Sequence, residues 1–150
     1  MTDVSTSVLK TRDLLCSPEA AFALFTDRMA EWWPVASHSI AGDRVRTITV
    51  EPMAGGHVFE TDDAGVQRDW ATVVAHEAPH RLVLDWYPGH SPDDATRVEV
   101  TFTATETGTR LRLEHSGWPA GATDRRASYD TGWDLVLGQY VAQAALAGSR

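Results

Sequence analysis

Between residues 44 and 115 apolar and polar side chains alternate in short runs, while the segments on either side repeat every three to four residues. The first pattern is that of half-buried strands, the second that of helices with one buried face. The alternating runs cover residues 44–51, 56–60, 68–76, 81–87, 96–105 and 109–115. Turn residues separate them at 52–55, 62–65, 77–80 and 106–108, which predicts an antiparallel meander. Folding the last hairpin around Thr107 sets Phe102 opposite Leu111, Val100 opposite Leu113 and Val98 opposite His115. Arg97, Glu99, Thr101, Thr103, Arg110, Arg112 and Glu114 then share the opposite, solvated face. Folding residues 68–76 onto 81–87 places Ala71, Val73 and Ala75 beside Leu82, Leu84 and Trp86. That register leaves Trp70, Thr72, His76, Asp85 and Tyr87 outside.

Upstream, residues 4–15 read as a further strand. Ser17-Pro18-Glu19 then supplies an N-cap, a proline at the first helical position and an acid in the first turn. Phe22, Phe25 and Met29 form the buried stripe of that helix, which breaks at Trp33-Pro34. Downstream, residues 123–146 read as a long helix with Asp124 in its first turn. At 100° per residue, Tyr129, Val136, Leu137, Tyr140 and Ala144 fall within about 60° of Trp133. Arg126 lands in the same stripe. Gly132 and Gly138 each cost about 1 kcal/mol against alanine in a helix, a sign of close packing or spare volume. The stripe has only one apolar sheet face to bury against. The expectation is a single α+β domain over residues 1–150. A curved antiparallel sheet of about seven strands wraps a long C-terminal helix, with two short helices after the first strand.

Composition narrows the function. Thirteen Lys and Arg against 21 Asp and Glu give a net charge of −8, and the cations are scattered, so a nucleic-acid backbone would be repelled. The single cysteine, Cys16, cannot form an internal disulfide. The first residues lack the apolar stretch of a signal peptide, so a cytoplasmic location is expected. The uncharged run 135–149 is interrupted by Gly138, Gln139 and Gln143 and falls short of the roughly 20 apolar residues of a membrane span. Six tryptophans in 150 residues require a crowded core or a lined cavity.

Several residues invite a chemical reading. His76-Glu77-Ala78-Pro79-His80 matches the H-E-x-x-H zinc-peptidase spacing, which needs a helix. Pro79 and the alternating flanks make it a hairpin turn instead, so no metal is expected. His115 lies on the inner face at a strand end and reads either as a hydrogen-bonded core histidine or as a ligand contact or acid–base group. Glu51 and Glu60 could form an inward carboxylate pair, or brace hairpins. Arg126 could hold an anionic group at a cavity mouth, or pair with a nearby acid. Cys16 precedes a helix start, which lowers a thiol pKa, yet its position suits packing. No residue set reads as catalytic, and no cofactor motif is present.

Taken together, the ordered motifs resemble the helix-grip fold of the START/Bet v1-like (SRPBCC) superfamily, and within it the family named after the Hsp90 ATPase activator. The resemblance is carried by Ser17-Pro18-Glu19-x-x-Phe22, Trp32-Trp33-Pro34, Glu51 with Gly55-Gly56 and Glu60, and Trp70-x-x-Val73. It continues through Pro79-x-Arg81-Leu82-x-Leu84-x-Trp86 and Thr96-x-Val98-x-Val100-x-Phe102. It ends in Thr109-x-Leu111-x-Leu113-x-His115-x-Gly117-Trp118 and Tyr129-x-x-Gly132-Trp133-x-x-x-Leu137. Roughly residues 8–142 are covered.

The resemblance implies a binding module for a small hydrophobic or aromatic molecule, held between sheet and helix. The expected lining is Leu84, Trp86, Val100, Phe102, Leu113 and His115 from the sheet, with Tyr129, Trp133, Val136 and Tyr140 from the helix. Trp33 and the 36–43 loop would cover the mouth, with Arg126 beside it. Two other roles are compatible with the superfamily. One is a cyclase- or hydrolase-type enzyme using His115 or a tyrosine hydroxyl. The other is contact with a chaperone, although 150 residues leave no room for the additional N-terminal domain of the eukaryotic activator. An exposed edge strand or the Trp32-Trp33 patch would allow a homodimer.

Overall fold

The computed structural model describes residues 7–119 and 121–148. Its elements run β1 (Val8–Leu14), α1 (Pro18–Thr26), β2 (Val45–Val50), β3 (His57–Asp62), β4 (Gln67–Glu77), β5 (Arg81–Trp86), β6 (Thr96–Ala104), β7 (Thr109–Ser116) and α2 (Thr123–Gly148). Val4, Ser5 and Thr6, which the sequence pattern adds to the first strand, lie outside the described residues. The seven strands form one antiparallel, curled sheet in the order β1-β7-β6-β5-β4-β3-β2, and α2 lies in its concavity. Among the described residues no helix is long and apolar enough to cross a membrane.

Local chemistry accounts for the elements. Ser17 caps α1 by accepting the Ala20 N–H at 3.2 Å, Pro18 opens the helix, and Glu19 sits in its first turn. The helix ends at Thr26, and Met29 follows in a single 3-10 turn, Met29–Glu31, which is the second short helical element. The β6–β7 register pairs Phe102 with Leu111, Val100 with Leu113 and Val98 with His115, as alternation predicts. The outer face is solvated and laced with ion pairs such as Arg97–Asp85, Arg81–Glu99 and Arg110–Asp13. Pairs of this exposed kind are each worth about 0–1 kcal/mol. Trp133, Val136, Leu137, Tyr140 and Ala144 of α2 are all buried, so the helix sits with its aromatic stripe inward.

β4 departs from simple alternation. Val58 pairs with Ala71 but Phe59 pairs with Asp69, so Trp70 is an extra residue; Val73 pairs with Leu84 but Ala75 pairs with Val83, so Val74 is another. Each bulge adds one residue and inverts the parity that follows it. Trp70, expected outside, is therefore buried against Trp33 and Trp86. His76 turns inward onto Phe22 at 5.1 Å, and Ala75 leaves the inner face.

Candidate functional site

The core between sheet and α2 is dense at one end. There α1 inserts Phe22 and Phe25, which meet Phe102 at 5.3 and 5.8 Å, and Phe25 and Trp32 close on Tyr140 at 5.4 and 4.8 Å. The Tyr140 hydroxyl donates to the Ala21 carbonyl at 2.6 Å, and burial raises its pKa far above the ordinary value. At the other end no helix intervenes, and a cleft of about 240 Å³ remains, lined by Trp33, His38, Trp86, Ser128, Tyr129, Gly132, Trp133 and Val136. A cavity of roughly 150 Å³ accepts a benzene, so this volume suits a two-ring molecule.

Each wall comes from a different element. Trp33 follows the 3-10 turn and is fixed by its indole N–H, which donates to the His38 carbonyl at 2.6 Å. Its ring lies 5.0 Å from Trp70, 6.0 Å from Trp86 and 5.9 Å from Trp133, so loop, sheet and helix meet in one tryptophan cluster. Such aromatic pairs contribute about 0.5–1.5 kcal/mol each beyond burial. The loop that carries His38 is pinned by Glu60. This fully buried carboxylate accepts the N–H groups of Ile40 and Ala41 at 2.7 and 2.8 Å and the Trp70 indole N–H at 2.7 Å. Three donors on one carboxylate offset the cost of burying it. On α2, Ser128, Gly132 and Val136 recur every fourth residue along the cleft. A Cβ added at Gly132 would stand 3.4 Å from the His38 ring.

His115 forms the floor beneath Trp133. The Trp133 indole donates to His115 Nδ1 at 3.0 Å, which makes Nδ1 the acceptor and leaves the proton on Nε2. Nε2–H then donates to Thr96 Oγ1 at 2.6 Å, and the hydroxyl passes its own proton toward the Trp86 carbonyl at 3.4 Å. Gly117, at φ +83°, turns the chain so that Trp118 folds back over the imidazole at 4.2 Å. Burial, with the Arg125 charge adding to it, lowers the His115 pKa from 6.5 to about 3, so the ring is neutral with both nitrogens engaged. It orients Trp133 and has no nitrogen left to move a proton in the cleft.

Of the residues proposed from sequence, Trp33, Trp86, Tyr129, Trp133 and Val136 line the cleft. Leu84, Val100, Phe102, Leu113, His115 and Tyr140 are buried but not among its lining residues. Arg126 is not among the lining residues, and its guanidinium donates to the Ser7 carbonyl at 3.1 Å, bracing the helix against the start of β1. Glu51 accepts the His57 N–H at 2.8 Å within the β2–β3 hairpin, so Glu51 and Glu60 are two separate braces and not a catalytic pair. His76 to His80 form the end of β4 and its turn, and among the described residues no cluster of His, Cys, Asp and Glu could hold a metal ion. Cys16 is buried, and burial raises its thiol pKa, which opposes reactivity. Sequence reasoning missed Ser128, had His38 only as part of the 36–43 loop over the mouth, and had Gly132 only as a sign of close packing or spare volume; the spacing of Ser128, Gly132 and Val136 was a readable signal for the two helix residues.

No curated protein matches the chain. Among solved structures, a Rhodobacter sphaeroides protein superposes with a TM-score of 0.72 at 21% identity, over 97% of this chain and 97% of its own. The Aha1 dimer of Colwellia psychrerythraea gives 0.70 at 19% identity, over 93% and 96%. DynU16, a protein of the dynemicin biosynthetic locus, gives 0.70 at 18% identity, over 91% of this chain but 46% of that one. At these identities the likeness is one of fold. The sequence model described as Activator of Hsp90 ATPase homolog 1-like protein matches residues 15–143, nearly the whole domain. The chain therefore belongs to the Activator of Hsp90 ATPase homolog 1-like family.

Proposed function

We propose that the protein binds a small aromatic or apolar molecule in the cleft between the N-terminal half of α2 and the tryptophans of the sheet. The observation that carries this reading is a space of about 240 Å³ walled by three tryptophans from three separate elements. Apolar lining with a few polar groups near the rim is the usual composition of a small-molecule site. Binding without turnover is favoured over an enzyme of the cyclase or hydrolase kind. Of the groups suggested for proton transfer, His115 has both ring nitrogens hydrogen-bonded inside the protein, and among the tyrosines the Tyr140 hydroxyl is tied to the Ala21 carbonyl while Tyr129 lines the cleft.

Titration with 2-acetylnaphthalene, followed by tryptophan fluorescence and calorimetry, tests the reading. Saturable one-to-one binding is expected, weakened at least about tenfold in Gly132→Leu, whose side chain would occupy the cleft. Absence of binding, or equal binding by Gly132→Leu, would refute it. Native mass spectrometry of protein from its own host, with a retained small molecule, would identify the ligand class.

A further inference from the structure

Five of the six tryptophans donate their indole N–H to a protein acceptor. Trp32 reaches the Leu24 carbonyl at 2.8 Å, Trp33 the His38 carbonyl at 2.6 Å, and Trp70 the Glu60 carboxylate at 2.7 Å. Trp118 reaches the His115 carbonyl at 3.1 Å, and Trp133 reaches His115 Nδ1 at 3.0 Å. Trp86 is the exception: its Nε1 is buried and, among the described residues, has no partner. The side chain is 3% exposed, hemmed in by Trp33, Trp70 and Trp133 at 5.7–6.0 Å, and it lines the cleft.

A buried donor left unpaired is destabilising, because it has given up its hydrogen bond to water without a replacement. The acceptors that serve the neighbouring tryptophans are already engaged. His115 Nδ1 takes Trp133, and Glu60 takes Trp70 together with two backbone N–H groups. A water held by Trp86 would need two to four polar partners, and the ring neighbours of Trp86 are themselves tryptophans. We propose that the molecule taken up by the cleft is an aromatic that carries a carbonyl-type oxygen, and that this oxygen accepts the Trp86 indole hydrogen bond once the ring shifts to bring its covered Nε1 to the cleft. The inference rests on the binding role proposed above and specifies the ligand's polar group and its orientation. The oxygen lies inward at Trp86, and the remainder points toward His38 and Ser128.

The test compares 2-acetylnaphthalene with 2-isopropenylnaphthalene, which has the same shape with CH₂ in place of oxygen. The full chain is expected to bind the ketone about five- to tenfold more tightly than the alkene, the value of one buried hydrogen bond. Trp86→Phe keeps an apolar ring and removes the donor, so it should weaken the ketone more than the alkene and abolish the preference. The wild-type protein offers a readout that requires no folded variant: the Trp86 indole N–H resonance should move further downfield with the ketone than with the alkene. Equal affinity for the two probes, or an equal loss of both in Trp86→Phe, would overturn the hydrogen-bond assignment while leaving a binding cleft. If neither probe binds, the binding role and this assignment fall together.

Discussion

One helix, α2, meets the same sheet with two different results. In its C-terminal half Leu137, Tyr140 and Ala144 close onto α1, Trp32 and Phe25, and the space is filled by interlocking rings. In its N-terminal half Ser128, Gly132 and Val136 face a loop whose tip is Ala36-Ser37-His38-Ser39, and a cleft remains. The difference lies in what is interposed between helix and sheet. At one end α1 delivers phenylalanines. At the other, small residues on both sides leave volume that the surrounding tryptophans are too rigid to fill. Close packing elsewhere supports the hollow end, because rings fixed by hydrogen bonds to His115, Glu60 and the His38 carbonyl cannot collapse inward.

Protonation of His115 strikes the floor of the hollow end and carries the largest expected effect. Its folded pKa, about 3, lies below the ordinary 6.5, so the unfolded chain binds the extra proton between these values. Stability is therefore full above about pH 6.5 and is lost as pH falls toward 3, by up to about 4–5 kcal/mol. Urea unfolding of the wild type should show this slope between pH 6.5 and 4, and His115→Gln should lack it. The Asp62 carboxylate does not confuse the comparison. Arg68, followed by the Val66 and Ala64 N–H groups, holds it down to about 2, so its transition lies below pH 4.

Truncation in the filled end comes next. Phe102→Ala should cost about 3–5 kcal/mol in chemical denaturation, as expected for a ring removed from a core that cannot relax. Enlargement then separates the two ends most cleanly. Ala21→Leu, at a position with no exposure beneath Tyr140, should cost about 1–3 kcal/mol through overpacking. Gly132→Leu should be neutral or stabilising by up to about 1 kcal/mol, because the cleft accepts the side chain and the helix gains propensity. Equal costs at both positions would mean that the ends are packed alike.

Where alternation runs unbroken, the sequence is transparent: the pairing of Phe102 with Leu111 and of Val98 with His115 follows from period two alone. The α2 stripe is equally legible from period 3.6. β4 is not, because the bulges at Trp70 and Val74 leave no mark in hydropathy yet invert the face of Trp70 and His76. In the cleft, Trp86, Tyr129 and Trp133 follow from their strand and stripe positions, and Trp33 with the 36–43 loop is expected over the mouth from the resemblance. The particular place of His38 within that loop is not legible, because it depends on Glu60 binding Ile40 and Ala41, a contact between residues about twenty apart that no local pattern encodes. Helical phase puts Arg126 in the stripe, but it is not a lining residue, and one contact of its guanidinium is with the Ser7 carbonyl, which no local pattern encodes.

The difference between the two ends is read most directly from the six indole N–H resonances during addition of 2-acetylnaphthalene. Trp33, Trp86 and Trp133 are expected to shift with a common saturation curve while Trp32, packed between Phe25 and Tyr140, stays in place. Movement of Trp32 with the others unmoved, or no saturable shift at any tryptophan, would contradict it.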